Sequence, residues 1–483
     1  MNKYEMVVGL EVHCQLGTRT KLFCGCANDG FGMTANSRIC PVCTGQPGVL
    51  PVLNKRAVEL AFQAALALDC KLAATSIFAR KNYFYPDLPK AYQISQYEEP
   101  FSQHGGLDTK LPDGSRKRVR IHRIHLEEDA GKLLHEIGSE ELDYSLVDFN
   151  RSSVPLIEIV TEPDIRSSDE AYAYLTALKE VLQFVGVSRC DMEKGEMRCD
   201  ANVSVMLAGS TKFGTRAEIK NVNSFKNVKD ALEYEYRRQI EIIESGGTIK
   251  QETRLWDAVN MRTESMRSKE EAHDYRYFPD PDLVPLHADP VWVAKLKAAL
   301  PELPEARRLR LASTFALSAY DAEVLTSEKT LSAYFDEAMS GRPKEFAKPL
   351  ANLITTELLG RLNKEGKSIA ESPVTPKMMA SLVELTLNNT ISSKGAKEVF
   401  AKAFETREDP KVLVEKLGLS QVLDEGQVKG WVSEALAANP QAAADLKSGK
   451  EAAAGRIVGA VMKLSKGKAN PALVNKLIKE AVK

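Results

Sequence analysis

Long apolar runs, a surplus of either charge and the common nucleotide-binding loops are all missing from this chain of 483 residues. No uninterrupted apolar stretch reaches the roughly 18 residues that a membrane span needs. The start, Met1 to His13, has neither a basic segment leading into an apolar core nor an Arg-rich, acid-free presequence, so a cytoplasmic protein without membrane contact is expected. Lys plus Arg total 65 and Asp plus Glu 66, a formal net charge of -1. That balance excludes a uniformly basic nucleic-acid sleeve and leaves room for a local basic patch. Eight cysteines are too few for a disulfide scaffold at this length. There is no Gly-x-x-x-x-Gly-Lys-[Ser/Thr] loop and no Gly-x-Gly-x-x-Gly after a strand, so a site for ATP would have to be built differently. A Gly-Gly-Ser-Ser-Gly-type serine loop is absent too, which leaves amide hydrolysis to another chain.

What is present divides into two textures. With 43% hydrophobic and 27% charged residues, the chain can bury a large core, and its length predicts about three domains. Residues 1–292 carry short alternating segments at Met6–His13, Cys199–Met206 and Thr215–Lys220, read as strands. Three amphipathic helices interrupt them. One spans Arg56–Leu68, one opens at the Ser167-x-x-Glu170 capping signal, and one follows Val228, Leu232, Tyr236, Ile240 and Ile243 to a glycine pair. No regular βαβ alternation appears, so the class is α+β. After Pro301–Pro304 cysteine disappears and Ala, Leu, Lys and Glu dominate, which predicts a helical domain at 293–408 and a tail at 409–483. From Ala442 to Lys483 nine basic residues outnumber three acidic ones, including Lys447, Lys450, Arg456, Lys463, Lys466 and Lys468.

Several constellations could carry chemistry. Cys24-x-Cys26 and Cys40-x-x-Cys43 bracket a short loop, the spacing by which two knuckles close four thiolates on a structural zinc; four unligated surface thiols are the alternative. Glu11 and His13 share a strand face and could hold a divalent ion, or be an exposed acid beside an ordinary histidine. His125-Leu126-Glu127-Glu128-Asp129 follows the basic segment Arg116–Arg123, an arrangement suited to phosphate with magnesium and equally to a solvated turn. Arg216, Glu218 and Lys220 line one face of their strand, opposite apolar Ala217 and Ile219. Arg80-Lys81-Asn82-Tyr83-Phe84-Tyr85 and Asp274–Pro279 mix charge with aromatic rings, as in grips on a nucleic-acid end and also in ordinary cores.

Taken together these segments resemble one family, the GatB chains of the aspartyl/glutamyl-tRNA amidotransferases. The resemblance runs through Gly9–His13, Pro47–Asn54, Arg80–Pro86, His125–Lys132, Ser145–Arg151, Arg198–Asn202, Glu218–Asn221, Gln251–Arg254, Asp274–Asp282 and Gly467–Pro471. It implies a β-rich antiparallel cradle, then an all-helical domain and a YqeY-like helical tail that meets tRNA. It also implies an ATP- and Mg²⁺-dependent ligase that phosphorylates the side-chain carboxylate of mischarged Glu-tRNA(Gln) or Asp-tRNA(Asn). Ammonia released by the A subunit, an amidase, would then displace phosphate, with the small C subunit clamping the two large chains. On that resemblance Glu11, His13 and Glu128 would hold Mg²⁺, with Glu218 as an addition. Lys81 and Arg216 would meet phosphate oxygens beside Lys220, and Lys81 could line the ammonia path. A tRNA-docking scaffold with a vestigial metal site is the alternative. An archaeal relative pairing with an asparaginase-like chain would need an inserted domain, for which this length leaves little room.

Overall fold

In the computed structural model the described residues are 3–138, 140–266, 274–422, 424–448, 450–465 and 467–482. The chain forms two compact units, Met1–Leu303 and Pro304–Lys483. No helix among the described residues is long and apolar enough to cross a membrane.

The first unit is built on strands. In chain order they are β1 (Tyr4–Gln15), β2 (Lys71–Leu72), β3 (Thr75–Ser76), β4 (Ala79–Asn82), β5 (Tyr92–Ser95) and β6 (Ser102–Lys110). There follow β7 (Arg116–Glu128), β8 (Lys132–Ile137), β9 (Glu140–Asp148), β10 (Pro155–Thr161) and β11 (Met197–Leu207). The last are β12 (Ala217–Lys220), β13 (Glu252–Asp257), β14 (Arg262–Ser265), β15 (Phe278–Pro279) and β16 (Leu286–His287). Nine of them form one sheet in the order β14-β13-β12-β11-β1-β10-β7-β6-β2, antiparallel except where β12 meets β13. A small sheet β15-β4-β5 joins the two aromatic segments, with Phe278 opposite Arg80.

Alternation gives the large sheet two unlike faces. Met6, Val8, Leu10, Val12 and Cys14 of β1 enter the core, while Glu11 and His13 point the other way. Three helices cover the apolar face: α1 (Lys55–Ala67), α2 (Ser168–Val185) and α3 (Phe225–Glu244). Their starts follow from side-chain caps. The Asn54 side-chain oxygen Oδ1 accepts from Arg56 N and Ala57 N, and Ser167 Oγ accepts from Glu170 N. The Glu170 carboxylate accepts from Arg166 N at 2.7 Å, so only half of the expected capping box forms. Gly186, at φ 81°, ends α2 in the left-handed conformation that glycine adopts without strain.

The first unit runs to Leu303 rather than to residue 292. Helix α4 (Pro290–Ala298) belongs to it, because the Trp292 ring lies 5.3 Å from that of Phe62 and Leu296 is buried in the same core. The second unit is all helical among its described residues and has two cores. One gathers residues from Leu311 to Val414, the other from Val428 to Ile478. Asp409 caps a helix whose Leu413 and Val414 pack in the first of these, so that core runs past the expected boundary at 408/409.

Candidate functional site

The polar face of the sheet collects charge in rows that the strand register dictates. Arg198, His13, Glu158 and His125 lie side by side across β11, β1, β10 and β7. One step along, Asp200, Glu11, Val160 and Arg123 form the neighbouring row. Beyond them Asn202 faces Glu218, and Glu218 faces Thr253. Adjacent strands are about 4.8 Å apart, so groups from four strands converge without any one loop having to place them.

His13 Nε2 is 3.6 Å from Glu127 Oε1 and 3.5 Å from Glu158 Oε2. The donor atoms of these three residues all fall within 4.8 Å of one another, a spacing at which they could share one cation. Behind them His125 Nε2 lies 3.0 Å from Glu158 and 3.4 Å from Glu127, and Ser95 Oγ donates to Glu127 at 3.0 Å. Burial pulls the pKa of His125 down, but Glu158 and Glu127 outweigh it and raise the pKa to about 9. His13 moves upward for the same reasons. Burial raises Glu158, but His125 and His13 prevail and hold it well below the usual carboxylate range.

Glu11 is the odd acid of the group. Burial, then the charges of Glu158, Glu218 and Asp200, push its carboxyl up, while a 2.9 Å hydrogen bond from Asn202 acts in the other direction. A carboxylate crowded by three others favours a bound cation. Lys220 sits among the same acids, 2.8 Å from Asp200 and 3.0 Å from Glu218, which lift its pKa despite burial. Thr253 Oγ1 donates to Glu218 at 2.8 Å. Arg198 pairs with Asp129 at 3.0 Å, and Gln15 donates to the same carboxylate.

The expected residues therefore separate. Glu11, His13, Glu218 and Lys220 share the polar face. Glu128 is not among them: it pairs with Lys90 and accepts from Ile94 N at 2.9 Å, on the opposite side of β7 from Glu127. The cause is a bulge. Register shifts between Val160 and Thr161, so that Val160 faces Arg123 while Thr161 faces Ile121. Val119 and Ile121 enter the core before that point, Ile124 and Leu126 after it. The alternation is thereby reset by one residue, and Arg123, His125 and Glu127 face outward in place of their even-numbered neighbours. Lys81 lies over the rings of Tyr275, at 4.8 Å, and Tyr83, at 5.8 Å. Arg216 is exposed, immediately before β12. His125 and Glu127 stand in a segment that the sequence singled out without giving either a role, and Glu158 escaped the reading altogether. The available signal for Glu158 was a single acid inside the apolar run Leu156–Val160.

The four cysteines do come together. Cys24, Cys26, Cys40 and Cys43 place their sulfurs within 4.8 Å of one another, and Cys40 and Cys43 are 3.9 Å apart. Tetrahedral zinc–thiolate bonds of about 2.3 Å require sulfurs roughly 3.8 Å apart, so the donor set fits a structural zinc. Contact with the Cys24 thiol comes first among the causes that bring Cys43 down to about 5, and the fully buried Lys21 ammonium, 3.6 Å away, contributes. Lys447 lies outside the described side chains and Lys466 and Lys483 outside the described residues; Arg456, Lys463, Lys476 and Lys479 are on helices of the second unit, with Lys450 and Lys468 in the connections between helices.

Comparison with known proteins adds the family context. A family profile described as the GatB/GatE catalytic domain matches residues 6–294, and one described as the GatB domain matches 333–482. The chain is 52% identical over 480 residues to a Carboxydothermus hydrogenoformans protein named as the B subunit of aspartyl/glutamyl-tRNA(Asn/Gln) amidotransferase, covering 99% of each. Proteins of the same name from Geotalea daltonii and Brevibacillus brevis are 54% and 52% identical, covering 99% and 100% of this chain and 98% and 99% of their own.

Proposed function

The chain belongs to the GatB family, the B subunits of the aspartyl/glutamyl-tRNA(Asn/Gln) amidotransferases, and from that premise we propose that the polar sheet face is where the carboxylate of a mischarged tRNA is activated. It is a ligase of translation, forming Gln-tRNA(Gln) or Asn-tRNA(Asn) as one component of a heteromeric enzyme. The amidase, or A subunit, supplies the ammonia, the small C subunit holds the two large chains, and ATP supplies the phosphoryl group.

A carboxylate is a poor acyl donor because its leaving group would be oxide. Phosphorylation cures that: the carboxylate oxygen bonds to the γ-phosphorus while the bond to the β,γ-bridging oxygen breaks and ADP departs with the electron pair. Ammonia then bonds to the acyl carbon, the carbon–oxygen bond breaks, and phosphate leaves with that pair and takes up the proton that nitrogen loses. Phosphoryl transfer is mainly positioning and charge neutralisation. Magnesium, when bound, neutralises phosphoryl oxygen charge. Glu127, Glu158, His13 and Glu11 are the residues that would hold it, with Glu218 beside them. His125 keeps the two glutamates turned toward His13. Lys220 is held by Asp200 and Glu218 at the edge of the same group, and Lys81 stands on the aromatic wall, from which it can meet phosphate oxygens or line the path of ammonia. Arg216 is an exposed cation at the rim.

The observation that carries this reading is the convergence of His13, Glu127 and Glu158 within 4.8 Å on a sheet face already crowded with acids. The test is ADP release from ATP that depends on mischarged tRNA, measured in the complex with ammonium in place of glutamine. Glu127→Gln should lower it about 100- to 1000-fold with tRNA binding intact; undiminished release would reduce the chain to a docking scaffold.

A further inference from the structure

The cations on the sheet face and in the segments next to it are of two kinds. Arg198 is paired with Asp129, Lys220 with Asp200 and Glu218, Lys90 with Glu128, and Arg80 with Asp280 and Asp282. Arg123 is different. It makes no ion pair among the described residues, and its Nε is buried without a hydrogen-bond partner. Aromatic rings accompany it: the guanidinium carbon is 5.8 Å from the centre of the Tyr97 ring, which stacks on Tyr277 at 4.2 Å. The charges of Glu127, Glu158 and Arg123 all act on the Tyr277 phenol, so the ring pair is near both the carboxylates and the cation.

The bulge in β7 is what turns Arg123 to this face. It lies in the row of Glu11, about two strand spacings or roughly 10 Å away, and two residues or roughly 7 Å along β7 from His125. A buried guanidinium nitrogen with no acceptor is unfavourable unless a ligand completes it. The planar fork of arginine matches phosphate oxygens two at a time, and stacking against a ring presets its orientation.

We propose that Arg123 is a further catalytic residue of the reaction proposed above, on which this inference rests. It takes the oxygens of the γ-phosphoryl group while that group passes from ATP to the side-chain carboxylate. It keeps hold of the acyl phosphate until ammonia bonds to the acyl carbon and phosphate leaves with the electrons of the broken carbon–oxygen bond. The carboxylates then bind the cation, and the arginine binds the anion it accompanies.

The test uses the purified complex with mischarged tRNA, γ-labelled ATP and ammonium. Arg123→Ala should lower label transfer to phosphate about 100- to 1000-fold without shifting the melting temperature or tRNA binding. Arg123→Lys should recover only part, lacking the fork, and millimolar guanidinium should restore the alanine variant saturably. Full activity of Arg123→Ala beside an inactive Glu127→Gln would overturn the role of Arg123 and leave the site standing. Full activity of both would remove the site itself. A lowered melting temperature with no rescue by guanidinium would make Arg123 structural and overturn the proposal as well.

Discussion

Glu127 and Glu128 are neighbours in sequence, yet only the first meets His13, 3.6 Å away, while the second pairs with Lys90. The acids were legible from sequence and so was the shared face of Glu11 and His13, because a strand alternates with period two. The choice between adjacent acids was not legible, since it depends on a one-residue bulge in the pairing with β10. At this scale His125 makes a pH prediction. Its folded pKa of about 9 lies above the ordinary 6.5, so its contribution to stability is complete below about pH 6.5 and is lost as pH rises through 9. Glu127 and Glu158 are lowered, and their contribution goes the other way, lost as pH falls below the usual carboxylate value of 4.5. The metal-free chain should therefore melt at a lower temperature at pH 9 than at pH 6.5. That difference should shrink in His125→Asn, and an equal fall in both proteins would remove the histidine from the account.

Strands β1, β11 and β12 and the first three helices were readable from periodicity and caps, while β7 was not read as a strand; the sheet order was not readable either, because β1 sits between strands drawn from residues far along the chain. Packing at the sheet edge makes a sharper prediction than any propensity. A Cβ on Gly105 of β6 would meet Cys70 Sγ at 2.1 Å and the Leu68 carbonyl oxygen at 2.7 Å. The second of these is backbone and cannot swing aside. Gly105→Ala should cost about 1–3 kcal/mol in urea unfolding, the range for forced overpacking. Ser167→Ala removes the cap of α2 and should cost about 1 kcal/mol. Loss of that size from the cap with none from the glycine would contradict the packing described for β6.

Across the whole molecule, residue patterning foretold an α+β unit followed by a helical half, the family resemblance added that the first would be β-rich, and the matched profiles cover both parts. The end of the first unit was harder to read, since α4 looks like the start of the helical half and joins the sheet's core through Trp292, Val293 and Leu296. The cysteine knuckle was legible from spacing alone, and Lys21 beneath it was not. Metal analysis should find one zinc per chain, lost in Cys43→Ser. Chelation should open residues 18–46 to protease before the rest of the first unit, and zinc retained in Cys43→Ser would refute the four-thiolate site. The central claim, that His13, Glu127 and Glu158 share one cation, is tested most directly by anomalous diffraction from crystals of the complex soaked in Mn²⁺. A peak within about 2.5 Å of His13 Nε2 and of oxygens from both glutamates is the predicted result. A peak beside Glu128 and Lys90, or none on that sheet face, would contradict it.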